Sequence, residues 1–143
     1  MSLQQDAKVM ALDIGLERTG VALAHLSVPI PRPFKALFGT EDLAEQVAEL
    51  VRSEQVAKLV IGLPRNLSGE KTNQTRFVEV LAAKIKRAVE VPVYFVDEAL
   101  TSKKAEEELK ARGRDYDKTA VDMLAATYIL EDFLKEHPEF AHV

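Results

Sequence analysis

The chain has no cysteine, which excludes a disulfide framework and any thiolate-bound zinc. Histidine is scarce: there are three, His25, His137 and His142, and two of these fall near the end, so a histidine-rich metal centre is not expected. No apolar run approaches the ~18–20 residues a membrane helix needs, and no membrane partner is expected. The polar start, Met1 to Lys8, lacks the apolar segment of a signal peptide, so nothing directs the chain out of the cytoplasm. An excess of positive charge is missing as well. The net charge of −4 argues against a broadly basic nucleic-acid surface, though it leaves room for basic groups around a local acidic site. There is no internal repeat, linker or low-complexity segment.

What is present fits one domain with a real core: 143 residues, 47% hydrophobic and 29% charged. Residues 1–6 and about 137–143 read as loose ends. Ala7 to Asp13 and Thr19 to His25 are apolar runs either side of a glycine-flanked turn, which predicts a β-hairpin. Val28 to Phe38 contains Pro29, Pro31 and Pro33 and supports at most an edge strand, roughly Phe34 to Phe38. Thr40 reads as the cap of a helix ending near Glu54, with Leu43, Val47, Leu50 and Val51 at helical spacing. Val56 to Ile61 and Val91 to Val96 are short apolar runs that suit buried parallel strands. A helix from about Thr72 to Val89 separates them. Thr101 or Ser102 can cap the next helix, to about Ala111, and Asp117 a last one running to about Glu136. The order β-β-β-α-β-α-β-α-α calls for one mixed sheet covered by helices.

Three acidic points stand out on this frame. Asp13 ends the first strand, and Asp97-Glu98 follow the last. If those strands run parallel, both lie on one edge of the sheet, where open α/β sheets place their sites. Asp122 lies in the otherwise apolar stretch Val121 to Leu130 and shares a helix face with Ala126, Ile129 and Phe133. Each has an ordinary alternative: Asp13 as a turn residue, Asp97-Glu98 as the start of a loop, Asp122 as an internal ion pair. Jointly they form a hard-oxygen donor set of the kind that takes Mg²⁺ or Mn²⁺, with which phosphodiester cleavage can be catalysed. Cations gather nearby. Arg18 is in the hairpin turn, Arg65 and Asn66 in the loop after the fourth strand, Lys71 and Arg76 at the start of the long helix. Lys103 and Lys104 occupy a first helical turn, where the dipole disfavours them unless an anion such as phosphate is present. Arg112, Arg114 and Lys118 flank the last loop. A solvated charged surface is the alternative for any single one.

At these residues the chain resembles the YqgF family, the RuvX-like nucleases. Four segments carry the resemblance: Leu12-Asp13-Ile14-Gly15-x-x-Arg18-x-Gly20-Val21-Ala22; Val60-Ile61-Gly62-Leu63-Pro64-x-Asn66-Leu67-x-Gly69; Val96-Asp97-Glu98-x-Leu100-Thr101-Ser102; and Val121-Asp122-x-Leu124-Ala125-Ala126. It covers about Lys8 to Leu134. It implies an α/β, RNase H-like fold: a five-stranded mixed sheet, three antiparallel strands then two parallel, flanked by about four helices. It implies a metal-dependent nuclease that matures the 5′ end of pre-16S ribosomal RNA, or a Holliday junction resolvase. Asp13, Glu98 and Asp122 then fall on the catalytic site, with Asp97 as a further metal ligand. Arg18, Arg65, Asn66, Lys71, Arg76, Lys103 and Lys104 face nucleic acid, either precursor rRNA or branched DNA, with ribosomal assembly intermediates as further partners. The expected state is a monomer or weak homodimer. The chain departs from the family pattern at Ala99, where an arginine is usual, at Leu16-Glu17 in place of Thr-Lys, and at Ala24-His25 in place of Ser-Asp.

Two readings of other classes stand beside this one. Ala99 and the net acidity suit a non-catalytic nucleic-acid-binding or ribosome-assembly module. The Asp-x-Gly after the first strand also suits a phosphotransferase of the actin-like ATPase superfamily, although those enzymes bind ATP between two such domains and this chain has length for one.

Overall fold

Strand alternation decides which side chains enter which core. In the computed structural model, which describes residues 7–113 and 115–141, the strands are β1 (Lys8–Ile14), β2 (Arg18–His25), β3 (Arg32–Phe38), β4 (Val56–Pro64) and β5 (Val93–Glu98). The helices are α1 (Leu43–Ser53), α2 (Asn73–Ala88), α3 (Thr101–Ala111) and α4 (Lys118–Glu136), and a short 3-10 turn spans Pro138–Ala141. They build one five-stranded sheet in the order β3-β2-β1-β4-β5. β1, β2 and β3 pair antiparallel, while β4 and β5 run parallel to β1. This is the expected mixed sheet and element order.

Met10, Leu12 and Ile14 of β1, with Leu59, Ile61 and Leu63 of β4, enter a core shared with α1 and α2. The alternate residues Val9, Ala11, Val60 and Val96 face α4, against Ala126, Ile129, Leu130 and Phe133. α3 stands outside α4 and buries Ala105 against Leu124 and Ala125. Because α4 is covered by the sheet on one side and by α3 on another, it carries a wide apolar surface.

Two glycines let α4 sit directly on the strands. A Cβ at Gly20 would overlap the main-chain carbonyl of Asp122, and one at Gly62 would overlap the Ile129 side chain. Asp117 caps α4 as expected, its Oδ1 accepting from the Ala120 amide at 3.0 Å. Thr72 caps α2 in a reciprocal box with Thr75, whose hydroxyl also donates to the Pro64 carbonyl and ties the helix start to the end of β4.

Several boundaries differ from expectation. β3 begins at Arg32 and includes Pro33; as an edge strand it has an outward row of amides, so a missing donor is tolerated. The cap of α1 is Asp42 rather than Thr40. β4 continues through Pro64, and β5 runs from Val93 through Glu98, so Asp97 and Glu98 belong to the strand. Neither Thr101 nor Ser102 caps α3: Leu100 does so with left-handed backbone, φ 63°, and no side-chain bond. His137 and Phe140 lie against α4 and β5. The rings of Tyr94, Phe133, His137 and Phe140 meet at centroid distances of 4.6–5.9 Å, and the Lys58 ammonium lies 4.6 Å from the Phe140 ring. Residues 1–6, Arg114 and His142 lie outside the described residues. No helix among the described residues is long and apolar enough to cross a membrane.

Candidate active site

Parity places Asp13 on the same face as Val9 and Ala11, under α4. Its cross-strand partner is Gly20, the residue on which the Asp122 main chain rests. Two carboxylates from elements far apart in sequence are thus brought together by a strand, a glycine and a helix start. Burial pushes the Asp13 carboxyl up to about 7, and the charge of Asp122 pushes in the same direction. Among the described residues no hydrogen-bond donor reaches the Asp13 carboxylate. A buried acid without a donor or counter-ion is costly when ionised.

Asp122 has a resident cation. Arg18 Nε donates to its Oδ2 at 2.7 Å, while Arg18 NH1 donates to Glu17 at 2.9 Å. Burial still holds the Asp122 carboxyl above its ordinary value, against the lowering effect of Arg18. The turn that carries Arg18 is closed by a bond from the Gly15 amide to the Arg18 carbonyl at 2.9 Å.

Glu98 shares the α4 face and the same sheet edge, since it follows Tyr94 and Val96 at intervals of two. It does not join the aspartates. β5 is two strands from β1 and Glu98 lies two residues beyond the level of Asp13, which separates their backbones by about 12 Å. Its carboxyl faces Asp132 and, further off, Glu136 and Lys104. Burial first, then a hydrogen bond to Asp132 that only the protonated form can donate, pushes it up to about 9. Its Oε1 is buried with no partner.

Asp97 points to the opposite face, and its Oδ1 is held by Arg65 at 3.1 Å. Alternation along β5 puts Asp97 and Glu98 on opposite sides of the sheet, so the expected pair of neighbouring ligands is split between two faces. Among the described residues, no three acidic or histidine side chains converge on one point. The donor chemistry therefore fits a hard divalent ion at Asp13 and Asp122, where a half-buried carboxylate without a hydrogen-bond donor sits beside a second one.

The expected cations are placed as follows. Arg18 is at the acidic pair. Arg65 is on Asp97, Lys71 reaches Glu79 at 2.8 Å, and Arg76 donates to Asn73 at 3.1 Å. The Lys104 ammonium lies 5.7 Å from the Tyr128 ring, and Lys103 is exposed on the first turn of α3. Asn66 is spent on its own loop, its Oδ1 accepting from the amides of Ser68 at 3.0 Å and Glu70 at 2.8 Å. That is an Asx turn.

Sequence reasoning missed Asp132. Val121, Ala125 and Tyr128 form a second stripe on α4 that meets α3, and Asp132, one turn beyond Tyr128, turns its carboxyl to Glu98. An acid at the end of an apolar stripe is the signal that could find it.

Residues 7–136 match the family model described as RuvX, Holliday junction resolvase. A protein of Maridesulfovibrio salexigens named "Putative pre-16S rRNA nuclease" is 38% identical over 89% of this chain and 97% of its own length. One of the same name from Thermosynechococcus vestitus is 37% identical over 93% of this chain and 91% of its own. Among solved structures, Thermus thermophilus RuvC in complex with a Holliday junction substrate superposes with a TM-score of 0.57 at 15% identity, covering 91% of this chain and 95% of that one. At that identity the likeness speaks for the fold.

Proposed function

The chain belongs to the RuvX family, and from that premise we propose that it is a divalent-metal-dependent nuclease acting on the 5′ end of precursor 16S ribosomal RNA in the cytoplasm. The observation that carries the chemistry is Asp13: a half-buried carboxyl, raised to about 7, with no hydrogen-bond donor among the described residues and Asp122 beside it. Relatives' names supply the choice of RNA.

Asp13 and Asp122 would hold Mg²⁺ or Mn²⁺, whose positive charge offsets their mutual repulsion. When bound, such an ion supplies Lewis acidity to an attacking water and to the leaving oxygen of a phosphodiester. The protein's own contributions are positional. The Gly20 contact fixes the start of α4, so that Asp122 is presented by a rigid helix rather than a loop. Arg18 neutralises the outer oxygen of Asp122 and offers its remaining N–H groups to a phosphate. Lys103, on the first turn of α3, offers a further positive charge at the same edge. Glu98 is the next carboxyl along that face, held protonated against Asp132.

The test is metal-dependent cleavage of labelled RNA carrying the pre-16S 5′ leader, with a four-way DNA junction alongside and Asp13→Asn as the control. Discrete products from the RNA, lost in the variant, are expected. Cleavage of the junction alone would transfer the activity to the resolvase reading, which the family description favours. Turnover retained in Asp13→Asn would sink the proposed site.

A further inference from the structure

Three leucines are unpartnered at the same edge of the sheet. Leu16 follows β1 and is 76% exposed, Leu67 follows β4 and is 80% exposed, and Leu100 follows β5 and is 50% exposed. Since β1, β4 and β5 are parallel, all three loops leave the sheet on the side where Asp13 and Glu98 end their strands. Single exposed leucines are unremarkable on a protein surface. One at the tip of each of the three loops around an acidic edge is a pattern.

None of the three is on a slack loop. The Leu16 turn is closed by the Gly15–Arg18 bond, and the Leu67 loop by the Asn66 Oδ1 bonds together with the Gly69 amide to the Asn66 carbonyl at 2.9 Å. Leu100 is held at φ 63°, a backbone region that costs a branched-chain residue energy and is retained where surrounding structure enforces it. Leu16 also forms one wall of a cleft of about 460 Å³ shared with Asn73, Gln74 and Phe77. There Phe77 gives a second apolar wall. Asn73 Nδ2 and the Gln74 amide make no hydrogen bond among the described residues, Asn73 Oδ1 being taken by Arg76. Apolar walls with free amides suit a flat heteroaromatic ring with a polar edge. Arg76 and Lys103, exposed on the first turns of α2 and α3, suit the phosphates of the same strand.

We propose that Leu16, Leu67 and Leu100 form an apolar rim that receives unpaired nucleobases, so that the substrate is single-stranded where it crosses this edge. The proposal rests on the nuclease reading and deepens it. In a duplex the bases face inward and offer the leucines nothing, whereas in a single strand each base has an open face.

The probes are a short single-stranded RNA, the same strand with abasic residues at its centre, and its perfect duplex. Binding is followed by fluorescence anisotropy in chelator, so that no cleavage occurs. The full chain should prefer the single strand over the duplex, and abasic residues should weaken binding by about tenfold. Leu16→Ser, Leu67→Ser and Leu100→Ser should each weaken the intact strand by about fivefold and leave the abasic strand unaffected. Thermal melting of each variant checks the fold; Leu100→Asn, which tolerates the left-handed backbone, replaces Leu100→Ser if that variant unfolds. Equal affinity for intact and abasic strands overturns the rim, as does equal loss by the variants on both, or a preference for duplex. If the rim fails while Asp13-dependent cleavage persists, the nuclease reading stands. If no probe binds and nothing is cleaved, both fall.

Discussion

At Asp13 the raised pKa gives stability a definite dependence on pH. The group titrates near 7 when folded and near the ordinary 3.8 when unfolded. Between those values the folded chain keeps a proton that the unfolded chain has lost, so stability falls as pH rises through the window and levels off above it. Glu98, raised from 4.5 to about 9, acts with the same sign over a longer range. In chelator the melting temperature should therefore drop by about 5 °C or more between about pH 5 and about pH 8. Asp13→Asn should reduce the slope below neutrality to the part that Glu98 contributes, and Mg²⁺ should restore the wild type at the higher pH but not the variant. A melting temperature that rises over this range would mean that Asp13 is stabilised as the anion. Arg18 makes the complementary case. Its positive charge lies against Asp122 and opposes an incoming cation, so Arg18→Gln should bind Mn²⁺ about tenfold more tightly by calorimetry. Unchanged affinity would separate Arg18 from the ion's site.

Which residues meet was only partly legible in the sequence. Asp13 and Asp122 could be read as partners because each interrupts an apolar pattern, and an acid in such a place needs company. Asp97 and Glu98 could not be told apart while they were assigned to a loop. Once they are strand residues, alternation sends one to each face. The Arg18–Asp122 bond spans 104 positions and leaves no local trace, and the left-handed Leu100 carries no glycine or asparagine to announce it.

Among the elements, α4 has the most to lose. Its apolar run and the Asp117 cap were visible in sequence because capping and periodicity are local. Its direct seat on β2 was not, since that depends on a glycine more than a hundred residues away. Gly20→Ala should cost about 2–3 kcal/mol by chemical denaturation and should also weaken metal binding, because a backbone carbonyl cannot swing aside as a side chain can and the start of α4 must shift. Asp117→Ala removes only a cap and should cost about 1 kcal/mol, with metal binding retained. Equal effects of the two on metal binding would show that Gly20 matters for stability alone.

For the whole molecule, a mixed sheet was inferable from three antiparallel runs followed by alternating strands and helices, while its strand order β3-β2-β1-β4-β5 came from the structure. The same order leaves β3 open along its outer side. That strand is largely exposed and includes Phe34 and Phe38, and an uncovered strand is a template on which another chain can add. Three features blunt it: Pro33 offers no amide, Arg32 and Lys35 bring like charges together, and the pairing with β2 shifts register between Val21 and Ala22. Pro33 thus has two consequences: it permits one strand to close the sheet and discourages a sixth, from a neighbouring copy, from extending it.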